Sequence, residues 1–325
     1  MKWGILGTSF ISGVMAEAIN ADRSSALYAV AGRSQANVAA FAEQYNVLQS
    51  YLSYEALLDD PQVDIVYIAL PNHLHHEFIA KAATCGKAIL CEKSLSVDME
   101  KSAQALAAVK HHQVFFAEGL MYLHHPLIAS LVDILTSGEI GELRSVQASY
   151  IAAIDQFVNP ESKGALYNLG CYPVSLLHLV VQTMLGNNAL ANCTLKAVGR
   201  QGADGNVCES SVLLTFGEHQ SATIHTAEDH GLQHHFRVLG SKGSVTMVSN
   251  PWLPTCENTI SVEVYEASKR EVKISAQGDA FSYQVRQVRE AVEAGRSELA
   301  PPCATAEDSY QIMQLLTEWE SATLR

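Results

Sequence analysis

The first 120 residues alternate short apolar runs with segments whose apolar residues recur at helical spacing. The apolar runs are KWGILG, LYAVAGR, VDIVYIAL, KAILCEK and HQVFFAEG. A strand that is buried on both faces reads as an unbroken apolar run, and helices connect such strands when they lie parallel. This order therefore predicts an α/β domain of the nucleotide-binding type, with a doubly wound parallel sheet, over residues 1–121.

Residues 122–325 have a different pattern and are expected to form a second, α+β domain. Many short alternating strands follow a helix near 125–137, and a helical run at about 169–185 interrupts them. Two amphipathic helices, 281–295 and 305–322, end the chain. Because few helices separate the strands, we expect an open, mostly antiparallel sheet with helices on one face. Its other face is the expected contact of a homodimer or homotetramer.

Charge and cysteine content narrow the class of protein. The chain holds 21 Lys and Arg against 34 Asp and Glu, a net charge of −13, which repels nucleic-acid backbones and anionic lipid. Its seven cysteines include no CxxC pair and are typical of reduced thiols. No apolar run reaches about 18 residues, the length of a membrane span. We expect a cytoplasmic protein that binds neither nucleic acid nor membrane.

The segment GTSFIS follows the first predicted strand, where a dinucleotide fingerprint would have Gly-x-Gly-x-x-Gly. Gly7 suits the tight turn, Ser9 replaces the second glycine, and Ser12 is another small residue at the third position. A glycine turn between strand and helix also occurs without a ligand, so the motif alone leaves both interpretations open. The expected cofactor contacts here are Gly7, Thr8, Ser9, Phe10 and Ile11.

The end of the second strand favours NADP(H) over NAD. An NAD site has an acidic residue there to bind the ribose 2′-hydroxyl, whereas this strand ends in Gly32, Arg33 and Ser34. Arg33 and Ser34 suit a 2′-phosphate. A solvent-facing arginine in a turn is the structural alternative, and NAD is the alternative cofactor.

The segment IALPNHLHHEF predicts a strand, a loop and a helix. The loop leaves the carboxyl end of a central strand, the edge where open α/β sheets bind ligands. The expected cofactor contacts are Leu70, Pro71, Asn72 and His75. The helical spacing of His73, His75 and His76 puts them on different faces, so we predict no metal site and an ordinary helix surface.

Two further patterns contain candidate catalytic groups. Glu92 and Lys93 end the next strand at the same sheet edge and are the remaining expected cofactor contacts. A partly dry pocket there also suits the Lys93 amine for proton chemistry. The alternative is a lysine whose amine reaches solvent. Asn168 and Tyr172 lie four residues apart on an otherwise apolar helix and so share one face. A polar pair there either lines a cavity or is satisfied within the core.

Together these residues resemble the Gfo/Idh/MocA oxidoreductase family, and the resemblance covers nearly the whole chain. The shared segments are the glycine turn, Pro71-Asn72 with His75, Glu92-Lys93, AEGLMYLHHP and GALYNLGCYPVSL. The resemblance implies a Rossmann domain and a catalytic role for Lys93. Tyr172 stands where many members have histidine, as in the branch of dimeric dihydrodiol dehydrogenase and NADP-dependent xylose dehydrogenase. That branch implies NADP.

The resemblance also implies a reaction. Hydride would pass between the nicotinamide and a carbinol carbon of a sugar, polyol or trans-diol, while Tyr172 exchanges the hydroxyl proton and Lys93 bonds the same oxygen. Asn168, Tyr122 and Asp155 are the expected substrate contacts. Gln156, Glu118 and His124 are expected near the mouth of the site.

Four residues depart from the family pattern. Ser9 replaces a glycine, Ser94 replaces the proline after Lys93 and frees that turn, Asn168 replaces an aspartate, and Leu123 replaces an arginine. These departures motivate an alternative function, a non-catalytic regulator that senses nicotinamide or sugar with the same fold. A third hypothesis is a glycosidase whose bound NAD is oxidised and reduced within one cycle.

Overall fold

A computed structural model describes all residues, 1–325, and divides them into two compact units. Unit 1 consists of Met1–Met121 and Phe281–Tyr310, and unit 2 consists of Tyr122–Ala280 and Gln311–Arg325. In chain order, unit 2 begins at Tyr122. Phe281–Tyr310, however, packs with unit 1, whereas the sequence prediction placed it in the second domain.

Unit 1 contains a six-stranded, entirely parallel sheet with helices between its strands. The strands are β1 (Lys2–Leu6), β2 (Ala26–Ala31), β3 (Gln49–Tyr51), β4 (Ile65–Ile68), β5 (Ala88–Cys91) and β6 (Phe116–Glu118). Their order is β3-β2-β1-β4-β5-β6, which confirms the predicted doubly wound sheet. The helices are α1 (Phe10–Ala21), α2 (Gln35–Tyr45), α3 (Tyr54–Leu58), α4 (His75–Thr84) and α5 (Met99–His112).

The central strands explain the apolar runs in the sequence. Every residue of β4 and β5 is buried, because helices cover both faces of a doubly wound sheet. β3 was not predicted, since its three residues QSY are polar or partly exposed and carry no apolar signal.

Unit 2 contains an eight-stranded sheet and one long buried helix. The helices are α6 (Pro126–Thr136) and α7 (Cys171–Leu185), and the strands are β7 (Leu143–Ala152), β8 (Thr194–Gln201), β9 (Val207–Phe216), β10 (Gln220–Ala227), β11 (Leu232–Gly240), β12 (Gly243–Met247), β13 (Glu257–Val264) and β14 (Arg270–Ser275). Only the pair β7 and β10 is parallel. The predicted mostly antiparallel sheet is therefore confirmed.

Two helices complete the chain, α8 (Ala280–Glu293) and α9 (Ala306–Thr323). No helix combines the length and apolar character that crossing a membrane requires. No group of three or more His, Cys, Asp or Glu side chains is arranged to hold a metal ion.

Candidate active site

The turn after β1 has a backbone shape that only glycine adopts readily. Gly7 has φ +110°, and a Cβ added there would lie 2.7 Å from the carbonyl oxygen of Ala69. Ser9 precedes α1, and its N–H donates to the Ser12 hydroxyl at 3.2 Å. The first turn of α1 has no acidic residue. Backbone N–H groups at a helix start attract anions, so this turn fits a pyrophosphate.

The other residues assigned to this turn lie beside it and beside the end of β2. Phe10 is 87% exposed, whereas Thr8 and Ile11 are half-buried. A Cβ at Gly32 would lie 3.4 Å from the Thr8 methyl group, so the ends of β1 and β2 are adjacent. Their adjacency gives the predicted cofactor contacts a common edge.

Arg33 and Ser34 are both exposed at that edge. The Ser34 hydroxyl accepts from the N–H of Asn37 at 3.4 Å and caps α2. Arg33 follows β2 with no acidic residue in the segment Gly32–Ala36. The charge and exposure of this corner fit a phosphate and leave no carboxylate for a ribose diol.

His75 links the loop after β4 to the loop after β5. It is fully buried, and its Nε2 and Nδ1 each lie 2.7 Å from a carbonyl oxygen, those of Leu70 and Ser94. Burial lowers the pKa of His75 to about 4, so the ring is neutral and supplies one N–H. The expectation of an ordinary helix surface is therefore wrong for His75, because its ring lies inside the fold. Its predicted contact with the cofactor stays a prediction.

Leu70, Pro71 and Asn72 complete the loop that His75 holds. Leu70 and Asn72 are buried and Pro71 is half-buried. A short 3₁₀ turn, Asn72–Leu74, leads into α4. Asn72 therefore lies at the carboxyl edge of the sheet, as predicted for a loop that covers the ligand crevice.

Lys93 follows β5 at the same edge and is half-buried. Its backbone N–H donates to Glu92 Oε2 at 3.3 Å, and the Tyr67 hydroxyl donates to Glu92 Oε1. The Lys93-Ser94 peptide bond is cis. Ser94 is buried, and its carbonyl oxygen contacts His75. The contact with His75 joins this turn to the start of α4, and the expected effect of Ser94 on the freedom of the turn stays a prediction.

Tyr172 lies on α7 in a cluster of aromatic rings. Its ring centroid is 5.3 Å from that of Tyr150, 6.0 Å from Tyr122 and 6.2 Å from Trp252. The Tyr122 hydroxyl lies 2.7 Å from the hydroxyl of Ser175, and Tyr122 is fully buried. Tyr122 therefore packs against the Tyr172 ring. Tyr122 itself has no exposed group that could make the predicted substrate contact.

Asn168 lies in a π-helical turn, Leu166–Gly170, directly before α7, which carries Tyr172. The sequence predicted neither this π turn nor a hydrogen-bond partner for Asn168. Its amide donates to Glu228 Oε2 at 2.8 Å. β7 and β10 are neighbours, with Tyr150 opposite Thr226 and Glu228 two residues further. Asn168 and Tyr172 thus both face this pair of strands, consistent with the prediction of a shared face.

Glu228 is the residue of this region that sequence reasoning missed. It is 4% exposed, and the exposed Asp155 donates its N–H to the Glu228 carbonyl at 3.0 Å. Burial, with Asp204, Asp155 and Asp229 nearby, raises the pKa of Glu228 to about 7 against the opposing Asn168 hydrogen bond. The available signal was an acid at the end of an apolar strand, the feature that singled out Glu92.

The structure therefore gathers the predicted residues into two sets. In unit 1, the ends of β1, β2, β4 and β5 bring together all the predicted cofactor contacts and Lys93. In unit 2, one side of the sheet brings together Asn168, Tyr172 and Asp155, with Tyr122 behind Tyr172. Leu123 is a buried core residue.

Two family models match the chain. One, described as "Oxidoreductase family, NAD-binding Rossmann fold", matches residues 1–120, and "GFO/IDH/MocA C-terminal domain" matches residues 128–246. The "Uncharacterized oxidoreductase ORF334" of Rhizobium meliloti is 31% identical over 91% of this chain and 90% of its own. The chain belongs to the Gfo/Idh/MocA oxidoreductase family. The predicted family and its NAD-binding Rossmann domain are confirmed.

Other members of this family are also similar over nearly the full length. "D-xylose 1-dehydrogenase (NADP(+)) 2" of Haloferax volcanii is 29% identical over 99% of this chain and 97% of its own. "Trans-1,2-dihydrobenzene-1,2-diol dehydrogenase" of Mus musculus is 27% identical over 99% of this chain and 96% of the relative's length. Among solved structures, this chain is similar to KijD10, a 3-ketoreductase from Actinomadura kijaniata, crystallised in complex with NADP and TDP-benzene. The TM-score is 0.87 and the sequence identity is 26%, and the match covers 99% of this chain and 98% of KijD10. These relatives support the predicted branch.

Glu228 gives the stability of the folded chain a testable pH dependence. A carboxyl with a raised folded-state pKa binds its proton more tightly when folded, so its stabilising contribution is lost as pH rises from about 4.5 to 7. We expect Glu228→Gln to remove that loss. Relative to wild type, the variant should gain up to roughly 3 kcal/mol in free energy of unfolding between pH 5 and pH 8.

Urea unfolding followed at both pH values measures this difference. Glu218→Gln, at an exposed turn of the same unit, is the control and should follow wild type. A Glu228→Gln variant with the wild-type pH dependence would show that Glu228 does not titrate there.

Proposed function

We propose that this family member is an NADP(H)-dependent oxidoreductase that interconverts a carbinol and a carbonyl in a sugar, polyol or trans-diol. The observation that carries the proposal is the fixed position of Lys93. Glu92 and His75 hold its turn at the carboxyl edge of the parallel sheet, the edge that also carries Gly7 and Arg33. The printed activities of the xylose and dihydrodiol dehydrogenases support the substrate class.

Each group of residues has a separate task. The Gly7 turn and the start of α1 hold the pyrophosphate, Arg33 and Ser34 hold the 2′-phosphate, and Asn72 lies at the nicotinamide end. The bound nicotinamide supplies hydride chemistry at C4. The Lys93 ammonium donates a hydrogen bond to the reacting oxygen. The Tyr172 hydroxyl exchanges that oxygen's proton.

The aromatic cluster of unit 2 positions Tyr172 for this exchange. Tyr122, Tyr150 and Trp252 surround its ring, and the interlocked packing limits rotation of the phenol. The amide of Asn168 and the carboxyl of Glu228 lie one turn away. They offer a polar contact for a second substrate hydroxyl, which suits a vicinal diol.

Substitution of the two catalytic candidates tests the proposal. We expect Lys93→Met and Tyr172→Phe each to lower kcat by roughly 10²–10⁴-fold, the usual contribution of a positioned proton donor or acceptor. Turnover of NADP⁺ with aldoses, inositols and trans-diols measures kcat, and fluorescence quenching measures NADPH binding. Binding should persist in both variants.

Tyr167→Phe is the matched control, because Tyr167 lies on the preceding turn and its hydroxyl donates to Glu320. That variant should keep wild-type kcat. Lys93 and Tyr172 are proposed to act in the same step. The kcat of the double variant should therefore be about as low as that of the less active single variant. Wild-type protein without turnover on any substrate, or full activity after either change, would contradict the proposal.

We propose that Arg33 selects NADP(H) by pairing with the 2′-phosphate. Loss of such a charge-assisted pair costs about 1.5–3 kcal/mol, so Arg33→Asp should raise the KM for NADP⁺ by roughly 10–100-fold. The KM for NAD⁺ should change little or fall. Steady-state kinetics with both cofactors provides the measurement. Arg23→Asp, an exposed arginine of the same unit, should leave both values unchanged.

We further propose that the open face of the eight-stranded sheet joins two copies of the chain. Tyr150 and Thr226 face α7, so strand alternation puts Ser149, His225 and the paired Ser211 on the other face. Val198 lies opposite Ser211 and is 73% exposed. None of the seven cysteines forms a disulfide, which supports our proposal of a protein of the reducing cytoplasm.

Charge placed on this face should separate the copies. We expect Val198→Glu combined with Leu213→Glu to convert a dimer or tetramer into monomers, because apolar contact area would be lost and like charges would face each other. Light scattering after gel filtration measures the mass. Leu48→Glu, at an exposed position of unit 1, is the control. A wild-type monomer would refute this proposal.

A further inference from the structure

Tyr67 is a buried polar residue that the proposed reaction does not use. It lies on β4 and is fully buried. In the parallel register it stands opposite Leu90 of β5, and Glu92 follows Leu90 by two residues. Since side chains alternate between the two faces of a sheet, Tyr67, Leu90 and Glu92 lie on the same face. On that face the Tyr67 hydroxyl donates to Glu92 Oε1.

The same carboxyl also holds the backbone of Lys93. The Glu92 N–H donates to the Ile68 carbonyl at 2.9 Å, so pairing with β4 continues as far as this residue. The next N–H, that of Lys93, donates to the side chain of Glu92, at 3.3 Å from Oε2. One oxygen of the carboxyl therefore bonds a residue inside the sheet, and the other bonds the residue that carries the amine.

The Glu92 carboxyl has little freedom to move away from these two partners. Glu92 is only 8% exposed. The Gly119 N–H donates to the Cys91 carbonyl at 2.6 Å, and a Cβ on Gly119 would lie 3.2 Å from both Glu92 Cα and Glu92 Oε1. The backbone of Gly119 thus packs closely beside Glu92, and the hydroxyl of Tyr67 holds the carboxyl at its end.

We propose that Tyr67 is a positioning residue that acts on the reaction through Glu92 and Lys93. Its hydroxyl holds the Glu92 carboxyl, which in turn holds the Lys93 N–H. On the other side of Lys93, His75 contacts the Ser94 carbonyl at 2.7 Å. The backbone that carries the amine is therefore held at both ends. The inference rests on the proposed function, which gives that amine its hydrogen bond to the reacting oxygen.

Tyr67→Phe tests this role, because it removes the hydroxyl and keeps the packed ring. We expect kcat to fall by roughly 10–100-fold, since a displacement of a catalytic group by about 1 Å has effects of this size. NADPH binding should not change. Tyr51→Phe is the matched control, because the Tyr51 hydroxyl donates to the Asp60 carboxylate at 2.8 Å in the same unit; it should keep wild-type kcat. Wild-type kcat in Tyr67→Phe would overturn the inference.

A double variant separates the position of the amine from the stability of the fold. Tyr67→Phe leaves a buried carboxyl oxygen without its donor, which can destabilise the protein by itself. Tyr67→Phe combined with Glu92→Leu removes both polar partners, so thermal melting should return toward that of wild type. The kcat of this double variant should stay as low as that of Tyr67→Phe. Recovery of kcat together with stability would show that Tyr67 acts on stability alone and would refute the positioning role.

A cycle with Lys93→Met shows whether Tyr67 acts through the amine. Tyr67→Phe should not lower the residual kcat of Lys93→Met further, because the amine that Tyr67 positions is already absent. A residue that acts on another part of the site would lower kcat by the same factor in both backgrounds. The same factor in both backgrounds would therefore contradict the proposal.

The backbone amide resonance of Lys93 gives a readout that needs no turnover. In cofactor-free protein labelled with ¹⁵N-lysine, it is the resonance that Lys93→Met removes. We expect Tyr67→Phe to shift this resonance and to speed exchange of its proton with solvent, because the acceptor is no longer held. Tyr51→Phe should leave both unchanged. A Lys93 amide that is the same in Tyr67→Phe as in wild type would overturn the inference. Absence of wild-type turnover on every substrate would instead refute the proposed function, and the positioning role with it.

Discussion

The contacts of His75 with two backbone carbonyls hold the candidate site of unit 1 together. Its ring reaches the loop after β4 through Leu70 and the loop after β5 through Ser94. Loops at the end of a parallel sheet lack the ladder hydrogen bonds that order the strands. The buried ring of His75 contacts both loops here, and in its neutral form it donates its one N–H to one of the two carbonyls. One side chain therefore lies against both the loop that carries Asn72 and the loop that carries Lys93.

Charge is distributed unevenly around this edge. The chain carries a net charge of −13, yet the start of α1 has no acidic residue in its first turn, and Arg33 is exposed beside it. In the proposed cofactor site, anion binding would depend on oriented N–H groups and one guanidinium, whose effects are local. The acidic residues near the edge, Glu92 and Glu118, are both buried.

The sequence predicted the architecture well because its strands are buried on both faces or alternate cleanly. The spacing of apolar residues along the chain predicts the parallel sheet, the antiparallel sheet and the long helices. The three residues of β3 have no such pattern, and the π turn before Cys171 has no sequence signature. Packing of Phe281–Tyr310 with unit 1 was missed as well, because an amphipathic helix shows that it packs but not on which unit.

Side-chain partners were less predictable than the elements that carry them. The spacing of His73, His75 and His76 correctly indicated that they lie on different faces of the helix. It could not show that the face carrying His75 is fully buried inside the fold. Tyr122 was singled out as a substrate contact by its place in the chain, whereas its hydroxyl lies against Ser175. Contacts of this kind join residues about 50 positions apart, and local pattern carries no information on them.

The pair of Asn168 and Glu228 shows why one motif position can give the wrong charge for a site. Asparagine at 168 suggests that a carboxylate has been lost, but Glu228 supplies a carboxyl from β10, 2.8 Å from the asparagine amide. An aspartate at 168 would place two carboxyls in contact, and one would have to be protonated. The amide at 168 instead donates to Glu228 Oε2, and this hydrogen bond favours the charged form of the carboxyl. The residue at either position is therefore understandable only with the other, because β10 supplies a carboxyl beside the amide at 168.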